Sequence, residues 1–193
     1  MDFVGHNGKP IVDRVSTADA AARIRGLRRV PIPKALAHEV ISLSYGFFTP
    51  LTGFMRRSEV DGTLNDMALP DGTLWSIPIV FDMSSEDIDR FDISEGIAVV
   101  LDYMDAPMAI LEVAEIYEYD REEMAQKTYG TTDSRHPGVK KMLAYQDRFL
   151  GGDITLINEP VFNEPFKRFW LTPKGHRQAA QRNGWQHVVA HQT

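Results

Sequence analysis

The stretch Gly96–Asp120, GIAVVLDYMDAPMAILEVAEIYEYD, constrains this chain more than any other. Two runs rich in β-branched and aromatic residues, about Ile97–Leu101 and Met108–Tyr117, flank a polar break with a proline, Asp102–Pro107. That pattern predicts two antiparallel strands joined by a turn. A further strand is expected in SIPIVFDM (76–83), where Pro78 marks an entry or edge position. GDITLINEP (152–160) predicts a late strand that stops before Pro160, with Gly151-Gly152 read as a plain turn ahead of it.

Helical signals lie apart from these strands. STADAAARIRGL predicts a helix capped by Ser16 or Thr17 and closing near Gly26. After Pro33, the spacing of Leu36, Val40, Ile41 and Leu43 or Ser44 predicts a second helix that ends at Gly46. RRSEVDGTLNDM is a weaker helical stretch because Gly62 interrupts it, and DREEMAQKTYG predicts a short helix capped by Asp120. Central strands with helices set apart rather than alternating give the α+β class, built on a small barrel or an open sheet. After Pro165 the pattern changes: TPKGHRQAAQRNGWQHVVAH reads as a helix, a stop at Gly184 and a strand over Val188–Ala190. Asn158-Glu159-Pro160 and Asn163-Glu164-Pro165 hold the chain extended between the two patterns, which sets a domain boundary there.

Composition excludes several classes. No apolar run approaches the length of a membrane span, and the N-terminal MDFVGHNGKP lacks the basic and apolar regions of a signal peptide. The chain has no cysteine, which removes disulfides and thiolate chemistry and fits a cytoplasmic protein. The net charge of −6 is uneven: residues 58–130 hold 18 acidic and 3 basic side chains, while both flanking regions are basic. An acidic middle repels a phosphate backbone, so nucleic acid is not an expected partner, and neither is a membrane.

Two stretches invite a chemical reading. YGFFTPLTGFM, Tyr45–Met55, gathers aromatic rings around two glycines, and a core-building or docking loop is favoured over a ligand-stacking one. Thr131–His136, TTDSRH, offers hydroxyls with Arg135 and His136 as an anion site, or equally a cap for the next segment through Asp133 or Ser134; the structural role is favoured. His38 and His176 stand alone in helical stretches, and no spacing suited to a metal site occurs.

Taken in order, GFFTPLTGFM, LPDGTLWSIPIVFDM, DAPMAILEVAEIYEYD, YGTTDSRHPGV and FLGGDITLIN resemble the N-terminal region of the sulfate adenylyltransferase (ATP sulfurylase) family, and GHNGKPIVDRV and RFW extend the likeness to nearly the whole chain. The resemblance implies a PUA-like β-barrel with flanking helices over residues 1–165. Residues 166–193 would begin a Rossmann-like nucleotidyltransferase domain with its first helix–strand unit. It also implies a reversible reaction of sulfate with ATP, supplied as Mg-ATP, by in-line attack on the α-phosphorus. No cofactor is expected on this chain, and a homo-oligomer is compatible with the likeness. In the family, the first catalytic strand delivers Gln-Thr-Arg-Asn-Pro-x-His-x-x-His. Gln192 and Thr193 match its first two positions, which implies that Gln192 donates to sulfate or nucleotide and that Thr193 lines the same turn with a catalytic role. The sequence stops before the arginine and both histidines, so the chain alone is expected to be inactive. Two alternatives stand beside this one: a stand-alone PUA-like binding module and a non-catalytic assembly partner.

Overall fold

The computed structural model describes residues 8–160, 164–189 and 191. The predicted hairpin is the centre of one sheet: β4, Ala98–Tyr103, pairs antiparallel with β5, Ala106–Tyr117. The expected six-residue connection is tighter than the sequence suggests. Met104 and Asp105 turn the chain by themselves, with φ of 53° and 61°, the left-handed pair that matches the twist of adjoining strands. Beyond β5 lies β6, Arg148–Leu156, and beyond β4 lies β1, Arg28–Pro31, which runs parallel to β4. No alternation in Arg28-Arg29-Val30-Pro31 announces β1; only Val30 is buried, and its neighbours face outward.

The far edge of β6 is shared by three short pieces. β3, Phe81–Met83, pairs with residues 148–150, and β2, Gly53–Phe54, pairs with residues 152–153. Val15 bridges Leu156 in parallel. This last contact corrects the first helix. The backbone N–H of Ser16 donates to Leu156 O, so Ser16 extends the sheet and caps nothing. The helix shrinks to α1, Ala20–Arg23, entered from Asp19 in a left-handed conformation without a side-chain cap. The strand expected over 76–83 is likewise reduced to its last three residues, because Ile79 O accepts from Met55 N outside any ladder.

Gly151 and Gly152 lie inside β6, not in a turn. A Cβ on Gly152 would meet Glu112 O at 2.0 Å, and one on Gly151 would meet Met55 O at 2.8 Å. The glycines are there because other backbone crosses β6 too closely for a side chain.

The helices close over this sheet. α2, Lys34–Ser44, buries Ala37, Val40, Leu43 and Ser44 and packs on β6 and β2. α3, Arg57–Asp66, forms despite Gly62, since a Cβ there would meet Ala68 O at 2.5 Å and the following loop needs that space. Ser84 caps α4, Ser85–Arg90, by accepting from Asp87 N at 3.1 Å. Asp120 caps α5, Arg121–Tyr129, as the sequence predicts. α6, Pro137–Leu143, packs against α5, and α7, Pro173–Arg182, follows a short 3-10 helix at Phe166–Phe169. The core runs through Leu43, Phe54, Val99, Leu101, Leu111, Phe149 and Ile154, all at most 1% exposed. Each such side chain contributes roughly 1.5–3 kcal/mol by leaving water. The architecture is α+β with one open sheet.

The strand expected at Val188–Ala190 does not form over its described part. Val188 and Val189 carry no strand pairing and are 52% and 92% exposed. A parallel strand needs a neighbour to hydrogen-bond with, and Val188 and Val189 pair with none of the described residues. Among the described residues, no helix is long and apolar enough to cross a membrane.

Candidate functional site

The aromatic loop Tyr45–Met55 builds core and also meets the segment that leads into α7. Leu51, Phe54 and Met55 are buried in the core, while Tyr45 and Phe47 turn toward the last helical segment. Trp170 meets both: its ring lies edge-on to Tyr45 with centroids 6.1 Å apart, and tilted against Phe47 at 5.8 Å. Gly46 makes the close turn possible. Its φ is +78°, and a Cβ would strike Val12 O at 2.2 Å. The hydroxyl of buried Thr49 ties this crossing together, accepting from Val12 N at 3.0 Å and donating to Gly46 O at 2.8 Å. Tyr45 Oη donates to Glu159 at 2.6 Å. Burial first, and then the Glu159 carboxylate, raises the Tyr45 pKa well above the phenol's ordinary value.

Below this contact, Thr172 Oγ1 accepts from Gly175 N at 3.1 Å and caps α7. Lys174 reaches Asp13 at 3.4 Å across the same junction. A cavity of about 410 Å³ opens beside the cap, lined by Ile11, Phe47, Thr49, Thr172, His176 and Arg177. No acidic residue occupies the first turn of α7. The cavity therefore combines an apolar wall with a lip that favours negative charge. His176, which the sequence left as an isolated histidine, sits on that lip; only the spacing of Thr172, Pro173 and His176 in one helical turn pointed there.

Gln192 and Thr193, the residues matched to substrate binding and catalysis, lie outside the described residues. The Thr131–His136 group is structural. His136 caps α6 by accepting from Val139 N at 3.3 Å, not Asp133 or Ser134, and its ring lies 4.7 Å from Tyr129. Asp133 holds Arg135 in an ion pair, and the exposed pair keeps the Asp133 pKa below its ordinary value. A polar basin of about 670 Å³ between α3, α5 and β6 is also internally matched. Lys127 joins Glu123 at 2.6 Å, and Arg148 joins Glu118 at 2.9 Å. Among the described residues no group of histidines and carboxylates is arranged to hold a metal ion.

Residues 5–159 match the model of the PUA-like domain. The chain belongs to the PUA-like domain family. Around this PUA-like domain the similarity runs further, to enzymes named sulfate adenylyltransferase. The chain is 37% identical over 192 residues to that of Thermococcus onnurineus, with 97% of this chain and 48% of the relative aligned. It is 35% identical over 188 residues to that of Cenarchaeum symbiosum, with the same two coverages. The enzyme of Persephonella marina is 31% identical over 193 residues, 97% of this chain and 50% of the relative. The chain thus spans about half the length of the curated relatives it matches, and corresponds to their N-terminal part. A solved structure, the hexameric APS kinase from Thiobacillus denitrificans, shares the fold at a TM-score of 0.71 and 20% identity, over 95% of this chain and 32% of that one.

Proposed function

We propose that this chain forms the N-terminal part of an enzyme that joins sulfate to ATP, giving adenosine 5'-phosphosulfate and pyrophosphate. The observation that carries the reading is the 31–37% identity to sulfate adenylyltransferases over 97% of the chain. In the reaction, a sulfate oxygen forms a bond to the α-phosphorus of Mg-ATP while the bond from that phosphorus to the bridging oxygen breaks, and pyrophosphate departs. The enzyme must hold two mutually repelling anions in line and stabilise charge as it builds. On this reading Gln192 donates its amide to sulfate or nucleotide, and Thr193 lines the same turn. Most of the remaining donors would come from polypeptide beyond Thr193. Each missing donor costs roughly 2.7–4 kcal/mol of barrier, so the 193-residue chain alone is catalytically silent.

The same reading takes the six-stranded sheet as a PUA-like barrel, with residues 1–165 as one domain and 166–193 opening the nucleotidyltransferase domain as a Rossmann-like unit. The family match over 5–159 and the change of pattern after Pro165 support that division. A cytoplasmic homo-oligomer fits the reading. A nucleic-acid-binding module is disfavoured by the acidic surplus of residues 58–130.

The test joins this chain to the remaining half of the Thermococcus onnurineus enzyme. Pyrophosphate release that depends on both ATP and sulfate supports the proposal. A folded chimera without such release, or a gel shift of structured RNA by the 193-residue chain at moderate salt, contradicts it.

A further inference from the structure

α7 is tied down at its start. The Thr172 cap and the Lys174–Asp13 ion pair hold that end, whereas the helix buries no residue and the chain from Gln181 to Trp185 is exposed. The helix stops on Asn183-Gly184. Gly184 takes a φ of +66°, its N–H donates to Gln181 O at 3.2 Å, and Trp185 N–H donates to Ala180 O at 2.9 Å. Those two bonds satisfy carbonyls that a helix end leaves open. Asn183 completes the cap. Its backbone N–H donates to Ala179 O at 3.1 Å, and its side-chain Nδ2 donates to the same carbonyl at 2.9 Å.

An Asn-Gly step has a reactivity of its own. Glycine has no side chain to shield its backbone nitrogen or restrict its rotation, and that nitrogen can close a five-membered ring on the preceding carboxamide. The cap restrains both partners in this closure, since Gly184 N–H is engaged with Gln181 and the Asn183 carboxamide is turned back onto Ala179. Both restraints lie in an exposed last turn with no buried side chain to hold it, the kind of helix end that opens without global unfolding.

We propose that Asn183 is a site of spontaneous covalent modification, reached when the α7 cap opens, and that the modified residue cannot restore the cap. With the turn open, Gly184 N gives up its proton and forms a bond to Cγ of Asn183. The bond from Cγ to Nδ2 breaks, and the amide nitrogen leaves with that proton as ammonia, which gives a succinimide. Water then opens the ring. Cleavage between Gly184 N and Cγ leaves an aspartate. Cleavage between Gly184 N and the backbone carbonyl carbon of residue 183 leaves an isoaspartate, whose main chain runs through the former side chain. Either product replaces a donor with a carboxylate. It has no proton to give Ala179 O, and it sets negative charge at the end of the helix where the dipole is already negative. The step therefore runs one way, from a capped α7 to an uncapped one. Nothing in it depends on the function proposed above.

The test holds the 193-residue chain in mildly alkaline buffer beside a free peptide of residues 179–188, and follows conversion of amide to acid by mass in the tryptic peptide 183–193. The other Asn-Gly step, Asn7-Gly8, falls in a different tryptic peptide and is read separately. Conversion at residue 183 is expected in the chain, more slowly than in the free peptide, and is expected to be lost in Asn183→Gln. Ala180→Gly weakens the last turn and should speed it about fivefold. Amides 176–182 of the converted chain should exchange faster than before, with residues 98–117 unchanged. A chain that converts as fast as the free peptide, or no faster in Ala180→Gly, has no gating cap and overturns the inference. A chain that keeps its amide while the peptide converts fully overturns it too, because the cap then never opens. Conversion that leaves exchange over α7 unaltered would show that the product keeps the cap, which also overturns it.

Discussion

Individual side chains in this fold are constrained by backbone more than by chemistry. Gly152 separates the Glu112 carbonyl from β2, and a methyl group would overlap that carbonyl at 2.0 Å. Gly152→Ala should therefore destabilise the chain by about 3 kcal/mol or more, as overpacking against immovable backbone does, whereas Gly72→Ala, with open space around it, should lose only its left-handed φ preference. Urea unfolding of the two variants checks the contrast. Tyr117 is buried, stacks on Phe149 and donates to Met55 O at 2.8 Å. Tyr117→Phe removes that donor, and a loss of about 1 kcal/mol is expected. The tyrosines also set a pH limit. Burial is the first cause in each case: it pushes Tyr119 up to about 12 and raises Tyr117 and Tyr145 further above the ordinary value. A raised folded pKa means that the folded state holds its proton longer than the unfolded one. The stabilisation is full below about pH 10, the unfolded value, and is lost as pH rises through the folded values. Urea midpoints should be flat from pH 8 to that limit and then fall; a flat profile through strong alkali would contradict this.

At the scale of elements, the legible parts of the sequence were those where local preference and packing agree. The β4–β5 hairpin, α2 after Pro33 and α5 behind Asp120 follow directly from period and capping. The missed elements have a common cause. β1 exists because Val30 fits against β4, and the early helix is shortened to Ala20–Arg23 where Ser16 pairs with Leu156. These depend on neighbours far along the chain, which no window of residues displays. The glycines of β6 were misread for the same reason, since the crowding comes from Glu112 and Met55. The Met104-Asp105 turn offers a direct test at this scale. Both residues hold positive φ without being glycine or asparagine, so Met104→Asn with Asp105→Gly should raise the thermal midpoint, by an amount equivalent to about 1 kcal/mol. A lowered midpoint would show that the turn does not set the register. Thr172→Ala should loosen α7 by about 1 kcal/mol, seen as faster amide exchange there with β5 unaffected.

For the whole molecule, the aromatic loop ties the open sheet to the segment that leads into α7 through Tyr45, Phe47 and Trp170. Its candidate site was legible only as a resemblance: Gln192 and Thr193 were matched by motif and lie outside the described residues, while the cavity lip that carries His176 and Arg177 emerged from the fold. The most direct measurement is sulfate-dependent pyrophosphate release from ATP, run in parallel on the purified 193-residue chain and on the same chain joined to the second half of a relative. The account predicts no release above background from the first and turnover from the second. Turnover by the 193-residue chain, free of intact enzyme, would contradict it.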